Sequence, residues 1–416
     1  MSQTTIEKIL SRAGGGQPVR PGDVVVYDVD RVIMIEIQFR MGWVQPLKIY
    51  DANKVSLIFD HASPAGSVQD ANTGNVARGF ARDFGVKDVY DVGDHGIAHQ
   101  VIAENGLALP GQLLACADSH STAGGAFNCA ARGLGPAEMI QILCTGKTWG
   151  IVPETVRYNL EGSLPASVYA KDIFLYIAGK YGSVAQNKAI EFSGPGIEAL
   201  SMGERRVLST QGVELVAEYT LFPCDEMVRS TLAALGIEDY TAAWSDDDAD
   251  FAFEDSIDMS DMEPQIAAAD YVLENTSPVA QFESVKLDQC FVGSCANGKL
   301  EDLEIAANIV RGKRVARGTR FIVTPASQRV ALEAARRGYT ADLLEAGAVV
   351  TPPMCGACYG YDMGVVGDGE TCLTSSTRNY KGRMGSAEAS VLMASSATVA
   401  ASAIVGRVVD PREVAS

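Results

Sequence analysis

An α/β protein of more than one domain is what this sequence predicts, and three observations carry that expectation. Short apolar runs rich in Val, Ile and Leu alternate with helix-period patterns and Gly-rich turns from Val24 nearly to the end. The 41 glycines, in a chain that is 47% hydrophobic, suit strands and helices packed closely around tight turns. At 416 residues the chain exceeds what one core ordinarily organises, so two or three domains are expected.

Three stretches separate on this pattern: 1–153, 154–275 and 276–416. In the first, Lys54-Val-Ser-Leu-Ile-Phe59 reads as a strand followed at once by Asp60-His61. Gln112-Leu-Leu-Ala-Cys-Ala117 reads as another, followed by Asp118-Ser119-His120, with Gly124-Gly125 opening a helix. Ligands of open α/β sheets bind beyond the carboxyl ends of strands, so these polar groups are placed to converge. The second stretch ends in the acidic run Trp244–Phe251, read as a solvated loop. In the third, the strand Val285–Val292 leads to Gly293-Ser294-Cys295, and Leu303, Ala306, Ala307 and Val310 mark one helix face.

Bulk properties exclude several functions. No apolar stretch approaches the roughly 20 residues that span a bilayer, and the amino terminus lacks the plan of a secretory signal, so a cytoplasmic protein is expected. A net charge of −18 argues against a nucleic-acid surface, and an anionic substrate would need local cations. The segment Gln141–Thr148 mimics the end of a phosphate-binding loop, but Gln141 stands where its first glycine is required.

Nine cysteines without a secretory leader point to metal or catalytic roles rather than a disulfide framework. Cys355-Gly-Ala-Cys358 follows Pro352-Pro353 and precedes Tyr359-Gly360, a tight turn that aims two sulfurs at one point. Such a pair serves half a zinc site, a redox dithiol or part of an iron–sulfur site. The dithiol ranks last because the expected βαβ neighbourhood is missing. A closed zinc site needs a fourth ligand, and Cys290 reads better as a small buried apolar residue. Cys116, Cys129 and Cys144 take the same reading; Cys224 and Cys372, in less apolar surroundings, have no metal role. Cys295 sits between a strand end and a helix amino terminus, where the dipole favours thiolate. Three candidates remain, Cys295, Cys355 and Cys358, and three thiolates can hold a 4Fe–4S cluster with one iron open as a Lewis acid.

All four histidines fall between His61 and His120. His61, His99 and His120 lie at strand ends or in polar turns near acids, which favours general acid/base work; His95 is read as an exposed loop residue. Near the carboxyl end, Ser375-Ser-Thr-Arg-Asn-Tyr-Lys-Gly-Arg383 carries two arginines. In so acidic a chain they read as a carboxylate clamp.

Taken together, Asp118-Ser-His120, Gly293-Ser-Cys295-Ala-Asn297, Cys355-Gly-Ala-Cys358-Tyr-Gly360 and Arg378-Asn-Tyr-Lys-Gly-Arg383 resemble the aconitase superfamily. The runs Gly106–Lys147, Val152–Gly162 and Thr398–Ser402 are most similar to its isopropylmalate-dehydratase branch, and the resemblance covers almost the whole chain. It implies three α/β/α domains around a central iron–sulfur cleft, without the swivelling fourth domain. It implies a hydro-lyase of a small hydroxy-di- or tricarboxylate, with 3-isopropylmalate or a close analogue as substrate. Maleate, citraconate, dimethylmaleate and homoaconitate chemistries are the alternatives, and an iron-sensing RNA-binding relative is the non-enzymatic one.

The resemblance also implies residue roles. Cys295, Cys355 and Cys358 would ligate the 4Fe–4S cluster, leaving one iron open. Asp60 with His61 would assist departure of the hydroxyl, while His99, Asp118 and His120 would organise the water, with Glu214 bonded to that network. Arg378, Arg383 and Ser119 would contact substrate. The base for the carbon-bound proton would be a serine on a small swivel-domain subunit, the expected partner. Two positions depart from the family pattern: Thr210 and Thr377 stand where asparagines are usual.

Overall fold

The computed structural model describes residues 2–42 and 44–414. Its contacts divide the chain into two compact units: one of residues up to Val92, Ala98–Gly162 and Val184–Ile257, the other of Gly93–Ile97, Ser163–Ser183 and the chain from Asp258 on.

The first unit is built on a five-stranded parallel sheet ordered Asp88–Tyr90, Val55–Ile58, Arg31–Ile35, Leu113–Cys116, Ala130–Gly133. Val55–Ile58 and Leu113–Cys116 are buried at every position, as continuous apolar runs in a sheet covered on both faces should be. Both flank Arg31–Ile35 and run parallel to it, with Ile35 opposite Ile58 and Ile33 opposite Cys116. Their carboxyl ends therefore lie at the same end of the sheet, where Asp60-His61 and Asp118-Ser119-His120 begin. A second sheet is ordered Tyr219–Leu221, Ala189–Ser193, Thr155–Glu161, Phe253–Asp258, the first three parallel. Val24–Asp28 and Lys147–Ile151 form a separate antiparallel ribbon.

Gly124-Gly125 does not open a helix: both residues lie inside the 3-10 segment Ser121–Phe127. A Cβ on Gly125 would collide with the Thr220 carbonyl, so this segment presses directly onto the Tyr219–Leu221 strand. The acidic run Trp244–Phe251 is tied down rather than merely solvated. Ser245 Oγ accepts from Thr5 N, and Asp246 accepts from Gln3 N and pairs with Lys8.

The second unit carries a seven-stranded sheet ordered Thr276–Pro278, Gln265–Ala267, Ser390–Ala394, Thr371–Thr374, Gln289–Val292, Arg320–Val323, Val349–Val350. The last five are mutually parallel, and Gln265–Ala267 runs antiparallel to both of its neighbours. The strand expected at 285–292 begins only at Gln289: Leu287 N bonds outside the sheet, to the Gly406 carbonyl, whereas Asp288 N already bonds to Thr371 of the neighbouring strand. The predicted helix face holds: Leu303, Ala306, Ala307 and Val310, on Leu300–Val310, are fully buried.

Ser163–Ser183, read from sequence with the second stretch, joins this second unit. Two buried charges explain it. Asp172 accepts from Gln265 N (2.9 Å) and Lys171 Nζ donates to the Ser376 carbonyl (2.8 Å), so the helix Ala170–Tyr181 is bonded into the seven-stranded layer.

Candidate functional site

In the first unit, the polar residues at the strand ends form one connected set. Glu36 follows the Arg31–Ile35 strand, is buried, and accepts three backbone amides: Asp60 N, His61 N and Ala62 N, each at 2.7 Å. Burial pushes its carboxyl up, opposed by the charge of His61 and by the donated amides. Asp60, also buried, accepts from Ala98 N (2.8 Å) and lies 3.5 Å from His61 Nδ1. Its contact with Ala98 anchors the start of the helix Ala98–Glu104, which carries His99.

His99 Nε2 lies 2.6 Å from Asp118 Oδ1, and the same oxygen accepts from His120 N (2.9 Å). His120 Nε2 then lies 3.1 Å from Glu214 Oε1, and Ser119 Oγ lies 3.4 Å from His120 Nδ1. The result is an alternating series, His99–Asp118–His120–Glu214. Burial alone would raise the Asp118 carboxyl, but its contacts with His120 and His99 hold it well below the usual carboxylate range. Asp118 at His99 Nε2 and Glu214 at His120 Nε2 each fix the orientation of one imidazole, the arrangement that proton transfer requires. Arg206, not singled out from sequence, donates to the His99 carbonyl (3.2 Å) and to Gln100 Oε1 (2.7 Å), clamping the start of the His99 helix. Thr210 is buried; its carbonyl accepts from Thr122 Oγ1 at 3.5 Å, while its own hydroxyl has no hydrogen-bond partner among the described residues.

The second unit brings the cysteine motifs together with two cations. Cys295 lies on the single helical turn Ser294–Asn297 at the end of the Gln289–Val292 strand. The turn is braced by Asn297 Nδ2 donating to Asp302 Oδ1 (2.8 Å) and by a buried Lys299–Asp302 pair at 3.1 Å. Cys355 precedes the 3-10 turn Gly356–Tyr359 and Cys358 lies within it, the turn being closed by Cys358 N bonding to the Cys355 carbonyl. Gly360, at φ +73°, is required there: a Cβ would lie 2.5 Å from the Arg383 carbonyl oxygen. Cys295 and Cys358 are buried and Cys355 half-buried.

Arg383 and Lys171 both sense these thiols. Burial works against the Arg383 charge, but Cys358 and Cys355 help hold the guanidinium above its ordinary range. Lys171 is completely buried; burial pushes it down to about 7, with Cys295 and Cys358 opposing. Thr377 Oγ1 lies 3.8 Å from Cys358 Sγ. Arg378 is half-buried on the same loop, which Asn379 anchors by donating to the Ala268 carbonyl (2.6 Å).

The other cysteines behave differently. Cys116, Cys129, Cys224, Cys290 and Cys372 are buried, and burial pushes every one of these thiols up, Cys116 and Cys372 to about 12. Cys290 thus keeps its packing role. The less apolar surroundings expected for Cys224 and Cys372 are not found, since both are core residues. His95 is likewise not exposed: its carbonyl accepts from Gln328 N, and the adjacent Gly96 presses against Ser327, which buries the loop.

A family model described as the aconitase family (aconitate hydratase) matches residues 52–272 and 268–406. The chain belongs to the aconitase family. Among family members, the 3-isopropylmalate dehydratase large subunit of Mycolicibacterium smegmatis is 53% identical over 100% of this chain and 98% of its own length. The probable methanogen homoaconitase large subunit of Methanosarcina mazei is 42% identical, covering 88% of this chain and 93% of the relative. The 2,3-dimethylmalate dehydratase large subunit of Eubacterium barkeri is 36% identical, covering 99% and 100%. Aconitase-family enzymes use a 4Fe–4S cluster. Among the described residues, no helix is long and apolar enough to cross a membrane.

Proposed function

We propose that this chain is the large subunit of a two-subunit hydro-lyase, acting in the cytoplasm, that removes and re-adds water on 3-isopropylmalate or a close hydroxy-dicarboxylate analogue. The cysteine set carries the reading. Cys295, Cys355 and Cys358 lie with Lys171 and Arg383, while the five other buried cysteines are kept as thiols by burial. Three thiols with cations to offset negative charge are the donor set that a 4Fe–4S cluster with one open iron needs. When bound, that cluster supplies a Lewis acid for the substrate hydroxyl and carboxylate.

The chain's own residues supply the rest. His61, supported by Asp60 and by the Glu36-anchored backbone, gives a proton to the departing hydroxyl. His99 and His120, oriented by Asp118 and Glu214, hold the water produced and return it. Arg378 and Arg383 bind a carboxylate as planar two-pronged donors, and Ser119 adds a hydroxyl contact. The base for the carbon-bound proton is a serine of the small subunit.

Purification without oxygen, followed by iron and sulfide analysis, tests the cluster; zinc without sulfide overturns it. The chain plus a small subunit is then assayed against 3-isopropylmalate, homoaconitate, 2,3-dimethylmalate and citraconate. Turnover of 3-isopropylmalate only in the presence of the small subunit is expected, and full activity from the purified chain alone refutes the partner assignment. A homoaconitate or 2,3-dimethylmalate substrate is the second reading, favoured by the names of the two relatives at 42% and 36% identity.

A further inference from the structure

Lys171 has no part in the steps above, yet it is a fully buried charge. It occupies the second position of the helix Ala170–Tyr181, and its Nζ donates to the Ser376 carbonyl at 2.8 Å. The neighbouring carboxylate does not serve as its hydrogen-bond partner: Asp172 accepts from Gln265 N and Tyr169 N, both at 2.9 Å, caps the helix, and feels Lys171 less than these amides. The Ser376 carbonyl leads directly into Thr377, whose Oγ1 lies 3.8 Å from Cys358 Sγ, so the ammonium is bonded to the loop that touches a cluster cysteine. An ammonium buried so completely is expensive unless negative charge lies close by. Cys295 and Cys358, two of the three cysteines assigned to the cluster, oppose the downward push of burial, while Lys299 adds a like charge. The carbonyl it holds belongs to Ser376, immediately before Thr377 and Arg378.

We propose that Lys171 is a positioning residue for the iron–sulfur cluster: its ammonium offsets ligand charge, and its bond to the Ser376 carbonyl holds the Thr377–Arg378 loop in place. The inference rests on the cluster reading above. A positive charge fixed in a low-dielectric interior stabilises the more negative, reduced form of a cluster and the thiolate form of its ligands. It does so without touching substrate.

The test compares wild type with Lys171→Gln and Lys171→Met in anaerobically purified full chain. Lys171→Gln removes the charge while leaving a shorter amide donor on the side facing the Ser376 carbonyl; thermal unfolding of the apoprotein confirms that it folds. Expected for both variants is aerobic cluster loss at least tenfold faster, followed by iron and sulfide release. Expected also is a reduction equilibrium shifted at least tenfold toward the oxidised form, a midpoint about 59 mV more negative for a one-electron couple. Lys171→Met should in addition raise KM with the small subunit present, because the loop bearing Arg378 loses its anchor. A purely structural lysine would lower the unfolding temperature and leave the potential unchanged. Wild-type potential and cluster lifetime in a folded Lys171→Gln overturn the proposal. Absence of iron and sulfide from wild type itself instead overturns the cluster reading on which it rests.

Discussion

Replacing Glu36 with glutamine isolates a support that never contacts substrate. The carboxylate uses both oxygens, Oε2 for Asp60 N and Oε1 for His61 N and Ala62 N. The Glu36→Gln side chain would keep the shape but offer one acceptor oxygen, so at least one buried amide would face an NH2 group instead. A hydrogen bond to a charged group contributes about 1.5–3 kcal/mol, and the orphaned amide adds a desolvation penalty. The unfolding free energy of the apoprotein should therefore fall by at least about 1.5–3 kcal/mol, read from urea titrations. If that energy is withdrawn from holding the Asp60-His61 backbone in its reactive position, kcat should fall roughly tenfold to a hundredfold. The Cys295, Cys355 and Cys358 set is untouched, so iron and sulfide content should stay at the wild-type level. The assay is urea unfolding, metal analysis and kcat with the small subunit present. An unchanged urea midpoint together with unchanged kcat would refute the reasoning, since three amides then would not depend on this carboxylate.

Three further outcomes are expected. Cys295→Ser, Cys355→Ser and Cys358→Ser should each lose iron and sulfide, whereas Cys290→Ala, buried in its strand, should keep both and lose only packing stability, as metal analysis and urea unfolding will record. Arg378→Lys keeps the charge but loses the planar fork, so kcat/KM should fall by the equivalent of about 1.5–3 kcal/mol; unchanged kinetics with the cluster intact would place the carboxylate elsewhere. Asp118 is depressed in the folded chain, so its stabilisation is present above the ordinary carboxylate value of 3.8 and is lost as pH falls below it toward the folded value. Asp118→Asn should thus be less stable near neutrality and flatten this acid-side loss in urea titrations run at falling pH; parallel pH profiles for the two proteins would count against the assignment.

The sequence by itself determined the α/β class and the placement of Asp60-His61 and Asp118-Ser119-His120 after parallel strands, and it singled out Cys295, Cys355 and Cys358 as the proposed ligands. These depend on local signals: apolar runs of strand length, and a Gly-closed turn that carries two thiols. Only the tertiary structure decided which distant groups those residues meet. Glu36 is singled out by no sequence motif and becomes the acceptor of three amides 24–26 residues away. Lys171 is singled out by no sequence motif, and its hydrogen-bond partner lies 205 residues along the chain. Arg206 reaches back 107 residues to the His99 carbonyl. His95 reads in sequence as an exposed loop residue and Cys224 and Cys372 as lying in less apolar surroundings, yet all three are buried among core atoms. Periodicity reports which face of an element is apolar, and it carries no record of what packs against that face. A buried charge is tolerated only when its partner arrives from elsewhere in the fold, so the chain order alone could not reveal either one.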